Sequence, residues 1–321
     1  MMQQNATDER AALLARQPGM FFKNVTKYWE LILFTVPGML VLLINNYLPM
    51  AGIIIAFKRI DNSLGILKSP FVGLENFKFL FATDAYRITR NTVLYNLVFI
   101  FVGLMINVAL AIAINELRNK ALSRIYQTII ILPYFLSFVV VGYVVYVFLS
   151  PQYGFIKEVL EPILNFKEIA WYENPNYWIF ILPLVNFWVS AGMGSIIYLA
   201  SLTGIDHALF ESSMIDGANK RQQIFHITIP MLIPVMIVMT LLSLGNIFRG
   251  NFGLFYQVTL NNPALYPTTD VIDTYVYRSL TTMPDIGMTT AASLYQSVVG
   301  CVLVVASNFV IRKISPQDAL F

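Results

Sequence analysis

Residues able to do chemistry are sparse in this 321-residue chain, and they gather in one polar stretch, ESSMIDGANKRQQIFHITIP, residues 211–230. It combines a carboxylate, paired serines, an Asp-Gly break, a basic patch and a closing proline, between two long apolar runs. The two histidines, His207 and His226, lie beside or inside it but not in the HExxH spacing that holds a hydrolytic zinc. There is no GxxxxGK(S/T) loop to cradle phosphates and no GxSxG nucleophile elbow. The one cysteine, Cys301, sits in an apolar run, so neither a disulfide framework nor a CxxC metal pair is available. These residues are suited to gripping a partner rather than to breaking bonds, which argues against an enzyme.

Locally the stretch reads as helix–turn–helix. Asp206 can accept backbone N–H groups at the start of a first helix. Leu209, Phe210, Ser213, Met214 and Gly217 then fall on one helical stripe, small at Ser213 and Gly217, where another surface could approach closely. Gly217 suits a left-handed helix end. Asn219 can cap a second helix, with Gln222 at the reciprocal position of a capping box. Pro230 and Pro234 sit early in the next apolar run, where a missing N–H does least harm.

The surroundings of that stretch are built for lipid. The composition is 57% hydrophobic and 12% charged, against about 25% charged in an ordinary soluble domain. Mean hydropathy is +0.65. Charge-free windows fall at 31–57, 91–115, 125–156, 174–205, 227–248 and 286–311. A bilayer core needs about 20 apolar helical residues, so the expected fold is all-α, a polytopic membrane protein with six transmembrane helices. The spans lack the buried Asp, Glu or Lys of a proton relay. The net charge of +3 is too small and too dispersed to suggest nucleic acid, and no nucleic-acid partner is expected. The short loop ELRNKALSR, 116–124, holds three basic residues against one acid. It places both termini in the cytoplasm by the positive-inside rule. No secretory signal peptide is expected, because the first 28 residues lack a short apolar core.

Tyr28 and Trp29, and Trp171, Tyr172 and Trp178, stand at span edges, where aromatic rings prefer the headgroup level. Residues 71–81, FVGLENFKFLF, carry apolar positions at helical spacing and read as an interfacial amphipathic helix. The loop between the fifth and sixth spans, with Arg249, Asp270, Asp273 and Arg278, reads as an ordinary solvated loop. The alternative is contact with an external delivery protein.

The 211–230 stretch resembles the EAA loop of ABC-importer permeases. Glu211, Ser212 and Ser213 stand for Glu-Ala-Ala, Gly217 for the spaced glycine, and Ile227, Thr228, Ile229 and Pro230 for the closing motif. Two Ala→Ser changes and one Leu→Ile change depart from the pattern. IDGANKRQQIFHITIPMLIP is similar to the maltose-type, carbohydrate-importer form of the loop. FVGLENFKFLF is similar to that family's segment after the first span. PTTDVIDTYVYR, 267–278, is similar to the branch for complex oligosaccharides and polysaccharides. The resemblance implies a type I ABC-importer permease fold and a multi-pass subunit of the cell (plasma or inner) membrane. It implies a second permease subunit, by preference a different chain, two cytoplasmic ABC ATPase subunits and an extracytoplasmic sugar-binding protein. ATP and magnesium would be bound by the ATPase, leaving no cofactor in this chain. Glu211, Ser212, Ser213, Met214, Ile215, Gly217 and Ala218 would dock into the ATPase, with Glu211 making or orienting a charge-assisted contact.

A sugar pathway calls for uncharged hydrogen-bonding groups on the spans. Asn186 and Ser190 lie i, i+4 on the fourth, with Trp188 nearby. Ser243 and Asn246 lie i, i+3 on the fifth, with Arg249 near its outer end. The competing role for such residues is gluing membrane helices together at ~0.6 kcal/mol per pair. The expected organisation is a cytoplasmic segment at 1–30, a permease domain at 31–311 with its coupling loop at 206–230, and a cytoplasmic tail at 312–321. Import of a non-sugar solute, or sodium-coupled transport by the chain alone, are the alternatives.

Overall fold

Apolar runs without charges must satisfy their backbone groups internally when they leave water, and a helix does this within one segment. The computed structural model describes residues 27–61, 63–81, 85–152, 154–160, 163, 169–282 and 285–314. Most of the N-terminal segment and the tail beyond 314 lie outside the described residues. Among those described, helix is almost universal, and the only strand-like contact is a bridge between Lys58 and Phe71. The chain divides into two compact units, Met1–Ile54 and Ile55–Phe321.

Among the described residues the longer helices are α1 (Trp29–Phe57), α2 (Ala85–Asn115), α3 (Lys120–Ile131), α4 (Phe138–Leu149), α5 (Pro175–Thr203), α6 (His207–Ile215), α7 (Lys220–Leu244), α8 (Ile272–Thr282) and α9 (Ile286–Ile314). Five of them, α1, α2, α5, α7 and α9, are long and apolar enough to cross a membrane. In its first stretch, Trp29–Leu42, α1 buries no residue. A helix apolar all round suits a membrane span.

The third expected span departs from a simple rod. A 3-10 turn at Leu132–Phe135 contains Pro133, Leu136 turns extended, and Ser137 caps a new helix at Val140 N. The two halves meet at 99°. Among the described residues the count is therefore five spans, or six when this bent pair is taken as one. Proline explains the break, since it removes a donor and clashes with the preceding turn.

The core lies between α2, α4, α5 and the π-helical turn Gly253–Val258. Trp178, Leu182, Val141, Leu254 and Val258 are fully buried there. Trp178 thus corrects the expectation of a headgroup ring: it points inward and donates Nε1–H to the Trp171 carbonyl at 2.7 Å. Tyr172 is buried too. On α5, a Cβ at Gly192 would collide with the Ile130 carbonyl, so that glycine lets α3 cross close against α5. Residues 71–81 form a 3-10 turn at Glu75–Phe81 rather than an amphipathic α-helix. Asn76 pins the turn through Nδ2 to the carbonyls of Ala56 and Lys58, both at 2.9 Å.

The fifth-to-sixth loop is also unlike its expectation. Asp270 is 1% exposed. Its carboxylate meets Arg278 Nη2 at 2.7 Å and Arg87 Nη2 at 3.5 Å, and accepts the Thr274 hydroxyl at 2.9 Å. Arg278 also lies over the Tyr266 ring, 4.0 Å from its centre. Asn91 and Thr92 of α2 hold the adjoining backbone, through Asp270 O and Ile272 N. Asp273 accepts the Gly250 N–H and a Gln296 amide N–H, and burial pushes its carboxyl above the usual carboxylate range. This loop is stapled to the helix ends.

Candidate functional site

The insert folds as its sequence dictates. Asp206 caps α6 by accepting Ala208 N–H at 3.0 Å. Gly217 ends α6 at φ +81°. Ala218 N–H reaches Ser213 O at 2.9 Å and Gly217 N–H reaches Met214 O at 3.1 Å, the paired bonds of a Schellman motif. The capping box then forms in both directions between Asn219 and Gln222, at 2.8 and 3.0 Å.

The second helix of the insert is not a separate element. Lys220–Gln223 runs through a π-helical turn, Ile224–Thr228, into Ile229–Leu244 without a break. The polar insert is thus a short helix, one tight turn, and the first turns of a membrane-spanning rod. Ser213 binds that rod: its hydroxyl donates to Phe210 O at 2.8 Å and accepts Gln223 Nε2–H at 2.9 Å. Its small size serves this internal joint. Gly217 has nothing within 4 Å of a Cβ position, so its positive φ, and not crowding, demands glycine. Phe210 completes the attachment by packing with Leu202, Ile205 and Leu232.

What α6 leaves outside is apolar at its tip. Ile215 is 87% exposed and Met214 57%. Glu211 and Ser212 are exposed as well, Ala218 is half-buried, and Glu211 has no hydrogen bond or ion pair among the described residues. Glu211 and Met214 border a cleft of about 740 Å³, together with Glu116, Arg118, Lys120, Arg124 and Lys220. Lys220 bridges this cleft to Glu116 at 2.9 Å, an exposed pair worth at most about 1 kcal/mol.

A second cavity, about 440 Å³, lies between α2, α5 and α7 in the membrane-spanning part. It unites Ser243 and Asn246 but not Asn186, Trp188 or Ser190. Ser190 donates to Asn186 O at 2.7 Å, Asn186 is half-buried, and Trp188 is exposed elsewhere on α5. Arg249 stands beyond the cavity, its Nη2 3.5 Å from Ser297 Oγ. The polar residues on α2 that sequence reasoning passed over are Asn96 and Asn107. Eleven residues apart, they share a face after three turns, and that spacing was the available signal. No lining residue of this cavity is charged. Among the described residues no group of His, Cys, Asp and Glu could hold a metal ion.

Comparison with known proteins gives the arrangement a family. The model of the "Binding-protein-dependent transport system inner membrane component" family matches residues 100–316. Protein LplB of Bacillus subtilis is 32% identical over 91% of this chain and 91% of its own length. The polygalacturonan/rhamnogalacturonan transport system permease protein YteP of the same organism is 31% identical over 89% of each chain. The crystal structure of a bacterial ABC transporter that imports the acidic polysaccharide alginate contains a chain superposing with TM-score 0.82 at 32% identity. That match covers 92% of this chain and 99% of the other. A second structure of a bacterial alginate ABC transporter, in complex with an alginate pentasaccharide-bound periplasmic protein, matches with TM-score 0.81. The matched span takes in α2 from residue 100, the insert and the final helix, and with it this chain belongs to the family of inner membrane components of binding-protein-dependent transport systems.

Proposed function

We propose that this chain is the permease subunit of an ATP-driven importer of oligosaccharide or polysaccharide fragments, and that α6 is the element an ATPase grips. The observation that carries the reading is the joint between α6 and α7. The exposed tip at Met214 and Ile215 is fastened through Phe210, Ser213 and the Asn219–Gln222 box to a continuous rod. A push on α6 must move α5 and α7 together, as a rigid body. Those helices supply two walls of the cavity, through Gly194, Ile197 and Tyr198 and through Thr240 and Ser243, with Asn246 just past the end of α7.

In this reading Glu211, exposed and unpaired, meets a cation of the ATPase, and Met214 and Ile215 enter an apolar socket. ATP and magnesium stay with the ATPase. A second permease closes the cavity's open side, and a sugar-loaded binding protein docks at the opposite end. The chain resides in the bacterial cytoplasmic membrane with both termini inside. The sugar class is supported by the relatives' substrates, polygalacturonan or rhamnogalacturonan for YteP and alginate for the solved importers.

The test is ATP hydrolysis by the assembly of this chain, its partner permease, ATPase and binding protein, reconstituted in liposomes. Stimulation by oligosaccharide-loaded binding protein is expected, and Glu211→Lys should abolish it while the assembly still forms. Stimulation by an amino acid, metal or phosphate instead of any oligosaccharide contradicts the sugar reading.

A further inference from the structure

Asn107 is the polar group in the cavity with its needs unmet. Its Oδ1 is buried with no hydrogen-bond partner, and no bond of its amide N–H₂ is found among the described residues. Buried polar side chains are nearly always satisfied, so each exception calls for a cause. The side chain is held in place by shape: it fills the notch left by Gly194, where a Cβ would overlap the amide, with Cγ at 2.8 Å. Most of the other polar groups around it are already engaged with backbone carbonyls. Thr240 donates to Met236 O at 2.7 Å and Ser243 to Met239 O at 2.8 Å, while Asn246 donates to Leu242 O at 3.2 Å. Asn96 spans to Thr92 O and Arg249 O. Asn107 lines the cavity with its Oδ1 buried and unpaired, beside Tyr198, whose hydroxyl also lacks a hydrogen bond among the described residues.

We infer that Asn107 is a specificity-determining residue of the transport pathway, and that it reads an uncharged, hydroxyl-bearing unit of the passing sugar. The inference rests on the sugar-importer reading above. A hydroxyl both donates and accepts, so it satisfies the amide whichever way its oxygen and nitrogen are turned. A carboxylate only accepts and matches one end. It would also find no charged partner among the residues that line this cavity. This half of the pathway therefore favours neutral sugar units over uronates. Gly194 is the positioning residue, because any side chain there displaces the amide.

Two measurements test this. First, Asn107→Cys in a Cys301→Ser background is treated with methanethiosulfonate ethylammonium in membranes, with Val108→Cys, at a buried position, as the control. Labelling at 107 and not at 108 is expected. An unlabelled Asn107→Cys in an assembly that hydrolyses ATP overturns the inference. Second, uptake of neutral galacto-oligosaccharides and of oligogalacturonates is measured in proteoliposomes with saturating loaded binding protein. Wild type should favour the neutral sugar. Asn107→Leu should slow neutral uptake roughly five- to tenfold, the scale of one lost uncharged hydrogen bond, and lower the neutral-to-acidic ratio. Gly194→Ala should do the same more weakly. A merely structural Asn107 would slow both sugars alike and leave the ratio unchanged, and that outcome rejects the inference alone. A wild type that takes up neither sugar rejects the importer reading, and this inference with it.

Discussion

The two polar loops that border α7 are held by opposite means. The α6 insert is closed by local hydrogen bonds: an N-cap, a Schellman turn and a capping box, each linking residues within five positions of each other. Its charged and apolar tips stay exposed. The loop beyond α7 is held by bonds across long sequence separations, Asp270 to Arg87, Asn91 to Asp270 and Ile272 to Thr92, and its key carboxylate is buried. In the proposed function, a loop that presents itself to a moving partner keeps its own shape and leaves its surface free. A loop that must not move relative to the spans is fastened to them with buried charge.

That contrast makes graded predictions. The largest effect belongs to the fastened loop. Arg278→Met leaves Asp270 buried without its closest cation, and removing one partner of a buried ion pair costs about 3–5 kcal/mol. Thermal unfolding of the purified assembly should show it, and Asp270→Asn added to Arg278→Met should recover part of the loss. If Arg278→Met were neutral, the loop would not be stapled in the sense described.

Smaller losses are expected in the insert. Gly217→Ala forces a side chain into left-handed backbone, at about 1–2 kcal/mol. Asn219→Ala removes the cap, at about 1 kcal/mol. Hydrogen exchange should show both confined to α6 and the start of α7. Ile215→Asp should change stability by no more than about 0.5 kcal/mol, as an exposed substitution, yet uncouple ATP hydrolysis from uptake. That separation of stability from function sharpens the comparison most.

The smallest effect is a pH dependence. Asp273 has its carboxyl raised above its unfolded value by burial. The folded state therefore holds that proton more tightly, and this contribution to stability is complete below the unfolded value. It is lost as pH rises through the folded one. Asp273→Asn should flatten the fall in stability just above the ordinary carboxylate range. An unchanged slope would remove Asp273 from the account.

Much of the insert was legible because its determinants are local. Asp206, Gly217, Asn219 and Gln222 act within one or two turns, so residue type and spacing suffice. The role of Ser213 was read only in part: its small size was visible, but its bond to Gln223 depends on how α6 folds back. Charge-free windows located the spans, yet α2 begins at Ala85, six residues before its window, because Arg87 and Arg90 ride on its first turns. The bend at Leu136 and Ser137 lay in plain residues, Pro133 and Ser137, within a window too long for one crossing. Trp178 and Asp270 were illegible, since burial and a distant cation are properties of packing, and the spacing of Asn96 and Asn107 shows a shared face but not the glycine that Asn107 meets. Asn186, Trp188 and Ser190 show the same limit: shared helical spacing did not bring them to the cavity that Ser243 and Asn246 line.

The central claim is that α6, and not the far loop, is the contact with the energy source. The most direct measurement places a photo-crosslinking residue at Ile215 or, for comparison, at Tyr277 of α8, in an assembly active in ATP hydrolysis. The account predicts an adduct between position 215 and the ATPase, weakened when Glu211→Lys is added, and no ATPase adduct from position 277. An active assembly in which 215 yields no ATPase adduct, or 277 does, contradicts it.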